Sequence, residues 1–541
     1  MATPRQNLPD VNIWNDSLAG DFLWSNSNFC EAISDVMTPA TYSMWEIYFE
    51  AVSFQITGYP LVGIIGGRPY INLSMIVSIG RVFGMKPRVM LQKSENLWGR
   101  VPEGIDIPLL PLTYWQTLRL ALPSLFRVRM ALKVKPREVR TFIASCPGWC
   151  AAMRTRIRQA ATPIELTNLW QGELRPYFGQ AWRMVRATLE SNGVLRQYLI
   201  QLVGSADANA LLSNLSGAGQ LASLGPLVGI SKMARGERNR TAYLEQYGHR
   251  GPHELELSIP RPVEDPTWLD QQVAMLVKSP VDVDALLARQ RAEFDAAWKR
   301  LIQRHPHKRK SLQRQIKLAA ASARLREETR SEATRIVWVL RELALRVSEW
   351  IDFEDRQDVF FLSLDEMIAV LSGDQAALAF IPARKVLYAW YSALPSYPAI
   401  IIGRFDPFQW AANPNRRSDI YVAHSTAIIK PAAITGFAGA AGVVEGLVRR
   451  LDRVEEGDQL KPGEILVTAT TNVGWTPLFT LAAAVVTDVG APLSHAAIVA
   501  RELGIPAVVG CGNATLHLHT GDQVRVNGGQ GTVEILKGSG T

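Results

Sequence analysis

Residues 487–510 read TDVGAPLSHAAIVARELGIPAVVG, and this stretch decides how the C-terminal part of the chain folds. Val485-Val486-Thr487 before the glycine loop and Ala507-Val508-Val509 after it read as short buried strands. Between them Ser494 stands in N-cap position, and Ala496-Ala497-Ile498-Val499-Ala500 is strongly helix-forming. Gly504 with Pro506 just beyond is a helix stop signal. The one histidine of the stretch, His495, therefore opens a helix, where unpaired backbone N–H groups and the positive end of the dipole stabilise an anion such as a phosphoryl group. Neutral imidazole is a nucleophile near neutral pH, so the position suits a covalent phosphohistidine. For an isolated Ser-His pair, the plainer reading is a surface histidine that starts a helix.

The match is longer than two residues. Ser494-His495-Ala496-Ala497-Ile498-Val499-Ala500-Arg501-Glu502-Leu503-Gly504-Ile505-Pro506-Ala507-Val508-Val509-Gly510 resembles the swivelling phosphohistidine domain of phosphoenolpyruvate synthase, pyruvate phosphate dikinase and rifampicin phosphotransferase. The main departure is Ala491, where a second glycine is usual; its methyl group narrows the φ range of the loop. The resemblance implies that His495 is the phosphorylated residue, with Ser494 and Arg501 beside the phosphate.

The rest of the composition sets outer limits. A chain of 541 residues accommodates two or more domains with sizeable cores. There is no run of about 18 apolar residues, so no membrane-spanning helix is expected. The first seven residues carry no apolar signal core, and a cytoplasmic protein is expected. The four cysteines, at 30, 146, 150 and 511, do not make a metal set; Cys146 and Cys150 have three residues between them rather than two, and reduced structural thiols are expected. The net charge of +8 is densest at Arg304-His305-Pro306-His307-Lys308-Arg309-Lys310, a run without the interleaved aromatics of single-strand binders. It reads as a solvated loop, so neither nucleic acid nor membrane is expected as a partner.

Two regimes follow along the chain. Leu118 to Val134, Ile164 to Leu189, Val281 to Ile302 and Lys310 to Trp350 repeat apolar residues at three- and four-residue steps, so 1–410 is expected to be a mainly α-helical acceptor-binding domain. Strand-like text there is limited to pieces such as Arg68 to Asn72. A composition rich in Pro, Asn and Arg from Phe405 to Ser418 suggests a linker, set at 411–430. From 431 to 541 short strands alternate with turns and helix, as expected of a compact α/β swivelling domain. Gly217-Ala218-Gly219-Gln220-Leu221-Ala222 mimics a dinucleotide-binding loop but follows helical text, and reads as a helix break.

Resemblance to the rifampicin phosphotransferase type extends through Leu23 to Asn28, Val36 to Pro39, Arg68 to Ser74, Asp358 to Leu362 and Gly474 to Phe479. In the middle, Tyr247-Gly248-His249-Arg250-Gly251-Pro252-His253-Glu254 marks an irregular loop. Arg250 has the planar fork that matches phosphate oxygens, and Glu254 or His249 is a candidate proton acceptor or a partner for the arginine. The plainer reading is that Arg250 and Glu254 simply pair. The resemblance favours an arginine and a glutamate at these two positions. Arg324, Arg326 and Arg330 match a second basic block, with a solvated helix face as the alternative.

No phosphate-cradling P-loop occurs, and neither the ATP-grasp domain nor the phosphoenolpyruvate barrel of the larger relatives is found in the text. The expectation is a split phosphotransferase. ATP and Mg²⁺ would act through a separate ATP-grasp subunit, with none bound by this chain alone, and the acceptor would keep one phosphoryl group while AMP and phosphate leave. The resemblance to phenylphosphate synthase and the cresol-phosphorylating system points to a small phenol as acceptor. Alternatives are a component of a rifamycin-like antibiotic phosphotransferase and a non-catalytic phosphocarrier.

Overall fold

The computed structural model describes residues 14–27, 29, 33, 35–52, 59–99, 101, 104–119, 133–188, 193–213, 224–278, 282–414, 416, 417, 419–423, 434–492 and 494–539. The glycine-rich piece at 217–222, Cys30, the N-terminal segment and most of the helix expected at 118–134 lie outside the described residues.

Arg68 to Asn72 is one of five strands, not an isolated piece. The strands Leu23–Ser25 (β1), Val62–Ile65 (β2), Arg68–Asn72 (β3), Ile400–Ile402 (β4) and Ile420–Val422 (β5) form a sheet in the order β2-β3-β1-β4-β5. The N-terminal region is thus mainly helical, as expected, and also holds a small mixed sheet of which the sequence showed only one piece. Strands of three to five residues give too few alternations for a period-2 signal, and fully buried triplets such as Ile400-Ile401-Ile402 carry no polar face at all. Strand β5 falls inside the stretch expected as a linker and pairs in parallel with β4.

The helices follow the periodicity closely. Pro39–Val52 (α1), Pro136–Gln159 (α2), Arg175–Ala187 (α3), Gly225–Ala234 (α4), Val283–Arg304 (α5) and the 39-residue Arg309–Val347 (α6) are the elements that matter below. Helix α2, unnoticed in the sequence because Pro147 interrupts its pattern, packs along α6. Its Cys146 and Cys150 are free, buried and one turn apart. Ala333, Ile336, Val337, Leu340 and Leu343 of α6 share the largest core cluster with Met44 and Trp45 of α1 and Phe178 of α3. Among the described residues no helix is long and apolar enough to cross a membrane.

The C-terminal part is a separate eight-stranded sheet. It comprises Ile434–Thr435 (β6), Phe437–Ala440 (β7), Val443–Arg450 (β8), Ile465–Thr468 (β9), Ala484–Thr487 (β10), Ala507–Val509 (β11), Gln523–Asn527 (β12) and Thr532–Lys537 (β13). The order is β6-β13-β12-β8-β9-β10-β11-β7, with β8 to β11 parallel and the flanks antiparallel. The helix His495–Leu503 (α7) connects β10 to β11, so its N-terminus lies beyond the carboxyl ends of parallel strands, where α/β sheets bind ligands. Leu224, Leu227 and Val228 beside and within α4, and Val283 and Leu287 of α5, share one apolar core with Phe479, Ala496, Val499 and Leu503. The C-terminal sheet is therefore docked on the helical region.

Candidate active site around His495

The signals of the 487–510 stretch act as read. Ser494 has extended backbone and its hydroxyl accepts from Ala497 N at 3.2 Å, capping α7. Gly504 takes the left-handed conformation (φ 68°) and ends it. Ala491 lies outside the left-handed region; among the described residues the single non-glycine with positive φ is His253. The alanine at this position is therefore compatible with the loop. Arg501 donates from Nε to Ala497 O and from Nη2 to Pro492 O, strapping the loop to the helix. Both Ser494 and Arg501 thus spend these groups on backbone, holding His495 in place.

The imidazole of His495 is only 7% exposed. Thr471 Oγ1 lies 3.2 Å from Nδ1 and Thr476 Oγ1 3.3 Å from Nε2, so both nitrogens have a hydroxyl able to donate or accept. Phe479 stands edge-on to the ring at 6.1 Å between centroids. Burial holds the ring's pKa down to about 3, with Arg330 and Arg250 adding to the effect and Glu327 opposing it. The ring is therefore a neutral base and nucleophile throughout the physiological range. Thr471, Thr476 and Phe479 escaped the sequence reading as site residues, although Thr476 and Phe479 lie in the block 474–479 already noted for its resemblance.

From the helical side, three charged residues reach this ring electrostatically: Arg250, Glu327 and Arg330. Arg250 is almost fully buried and grips Glu254 with a fork, Nε to Oε2 at 2.6 Å and Nη2 to Oε1 at 3.2 Å. Burial works against its charge, but Glu254 and Glu327 outweigh it and raise the pKa. So Arg250 and Glu254 do pair, and the pair lies within electrostatic reach of His495. Arg326 bonds the neighbouring Glu327 at 3.1 Å. Burial pushes the Glu327 carboxyl up, and Arg326, Arg330 and Arg250 more than cancel this, leaving it ionised. Glu327 was not anticipated; its signal was a carboxylate set among Arg324, Arg326 and Arg330 on one helix.

His249 turns elsewhere. Its Nε2 lies 3.2 Å from Ser331 Oγ on α6, and burial, with Arg335 and Arg250, drives its pKa well down. The loop that carries Arg250 is fixed by long-range bonds. Glu256 accepts from Thr38 Oγ1 at 2.7 Å and from Ser258 Oγ at 2.8 Å, and Arg341 donates to Leu257 O at 2.7 Å and to Glu264 at 2.9 Å. A phosphate clamp on such a loop is pre-positioned and loses little entropy on use. A cavity of about 230 Å³ lies near the same glycine loop, lined by Gly490, Arg417, Asp419 and Asn513 but not by His495.

Comparison with known proteins agrees with this layout. Residues 460–531 match the model of the mobile domain of PEP-utilising enzymes, and residues 217–327 match the rifampicin phosphotransferase fourth domain. The prodigiosin synthesizing transferase PigC of Serratia marcescens is 32% identical over 55% of this chain and 33% of its own length. The rifampicin phosphotransferase of Bacillus subtilis is 29% identical over 57% of this chain and 36% of its own, and that of Streptomyces sviceus 28% over 54% and 34%. The chain thus spans about a third of the length of these relatives. Residues 460–531 are thus similar to the mobile domain of PEP-utilising enzymes and follow a stretch similar to the rifampicin phosphotransferase fourth domain.

Proposed function

We propose that this chain is the phosphohistidine-carrying and acceptor-binding part of an ATP-dependent phosphotransferase, with His495 as the carrier. The observation that carries the proposal is a neutral, buried imidazole at a helix N-terminus, flanked by two threonine hydroxyls and within electrostatic reach of Arg330, Arg250 and Glu327 of the helical region. An arginine pair is what a transferring phosphoryl group requires, since its charge spreads over the oxygens in the transition state. In the transfer step the acceptor oxygen attacks phosphorus and the N–P bond breaks. Its electron pair returns to the imidazole, and the acceptor's proton passes to a carboxylate. Glu254, gripped by Arg250, and Glu327, bonded to Arg326 and held ionised, are the carboxylate candidates, with His249 as the other candidate acceptor.

ATP and Mg²⁺ enter through an ATP-grasp unit other than the residues described here. For the acceptor, relatives named rifampicin phosphotransferase support a rifamycin-like hydroxyl compound over the small phenol suggested by a split chain. The test is transfer from phosphorylated chain to rifampicin and to phenol or cresol, side by side. Phosphorylation of rifampicin alone supports this choice; of the phenols alone reverses it; of neither points to the phosphocarrier alternative.

A further inference from the structure

Among the described residues, His253 is the one non-glycine residue with a left-handed backbone, at φ 54°. Histidine tolerates that region better than most residues but still pays a conformational cost, so something must hold it there. Its ring joins two distant segments. Nδ1 meets Asp35, before α1, and Nε2 lies 3.3 Å from Glu455 Oε1, in the turn Val454–Gln459 of the C-terminal domain. Its carbonyl accepts from Glu256 N at 2.9 Å, tying it to the fixed Arg250 loop. The preceding residue, Pro252, presses on the C-terminal domain as well. A Cβ built on Gly474 would stand 2.8 Å from Pro252 Cβ and 2.9 Å from its Cα, so only glycine permits this approach. Gly474 lies two residues before Thr476, which touches the His495 ring.

We propose that His253 is a positioning residue: a cationic latch, bridging Asp35 and Glu455, that holds the mobile domain in the docked state where His495 faces Arg330 and Arg250. The inference rests on the proposed phosphotransfer for its purpose, but the docking it describes is a property of the fold alone. Burial disfavours the protonated ring, yet the two carboxylates outweigh it and lift the pKa to about 10, so the latch keeps its charge under physiological conditions. Asp35 and Glu455 are themselves more than half exposed, which limits each pair to a modest contribution. A latch of modest strength is what a domain that must leave and return needs.

Hydrogen exchange on the full-length chain reads docking directly, because α4 and α7 share a core only while the domains are together. In His253→Gly, which suits the left-handed backbone, the melting temperature should hold or rise, while exchange of α4 and α7 speeds up by about two- to fivefold, the range a partly exposed ion pair supports. Glu455→Gln should speed exchange likewise, and the double variant should go no further than His253→Gly, since the glycine already removes the contact to Glu455. Gly474→Ala should open the same interface by wedging its methyl against Pro252. Transfer from phosphorylated His495 to acceptor should slow in all of these, with loading of His495 spared. Unchanged exchange in both His253→Gly and Glu455→Gln, or additive effects in the double variant, would overturn the latch even if His495 carries phosphate. Conversely, a chain that never carries phosphate on His495 but shows the exchange pattern keeps the latch and loses the transfer.

Discussion

The His495 site and the Arg250 loop reach the same place by opposite routes. Around His495 the groups come from one short reach of chain: Thr471, Thr476, Phe479 and Ser494 lie within 24 residues of the ring, at the ends of neighbouring parallel strands. The Arg250 loop is assembled across the whole helical region. Thr38 and Arg341, more than 80 residues away on either side, supply its bonds. A locally built site can move as a unit without losing its geometry. One built from distant segments has to stay put. This difference suits a carrier that travels and a receiving station that does not.

The comparison breaks first at the carrier. His495→Ala is expected to abolish phosphoryl transfer while leaving circular dichroism and the apolar core intact, because the residue starts α7 and its cap is Ser494. A variant that still transfers would remove the carrier from the account altogether. At the station, Arg250→Ala should cut turnover by about a hundredfold or more, the loss typical of a transition-state donor. It should also cost about 3–5 kcal/mol of stability in urea unfolding, since Glu254 is left buried without its ion-pair partner. Arg250→Lys should rescue poorly, as one ammonium cannot reproduce the fork. Loading of His495 should survive both changes; failure at that earlier step would merge the two regions into one.

A smaller effect sharpens the local character of the carrier. Thr476→Val removes a hydroxyl from the imidazole and should slow transfer by about three- to tenfold, the worth of one hydrogen bond. Acid stability separates the regions differently. The pKa of His495 falls from 6.5 to about 3 on folding, so between these values the unfolded chain binds a proton that the native one does not. Stability then rises with pH across that window and is lost as pH drops from about 6.5 toward 3. In His495→Gln, melting temperature should decline less steeply over that range than in the parent; an equal slope would mean the ring is not buried neutral. Smallest of all, Ala491→Gly should lower stability by only about 0.4–1 kcal/mol, with phosphorylation unchanged, because the alanine backbone is not left-handed.

The same contrast explains what could be read before the structure. Ser494, His495 and Gly504 announce a cap, a helix start and a stop through local chemistry, and the strands on either side are continuous apolar runs. The five-stranded sheet was nearly invisible, because β1 and β4 meet across almost 380 residues and neither alternates. Arg250 and Glu254 stood out by residue type, but their bidentate pairing depends on burial that no spacing reveals. His249 looked equally eligible and turns instead to Ser331, a choice made by the packing of α6. Glu327 was hidden in plain sight, as a carboxylate between arginines reads first as a solvated helix face.

The most direct measurement is the site of the phosphoryl group. After incubation of the full-length chain with an ATP-grasp unit, ATP and Mg²⁺, fragmentation mass spectrometry should place one acid-labile, base-stable phosphate on His495, and addition of a hydroxyl acceptor should discharge it. A phosphate found on Ser494, Asp488 or any other residue, or a label retained by His495→Ala, would contradict a carrier at this helix start.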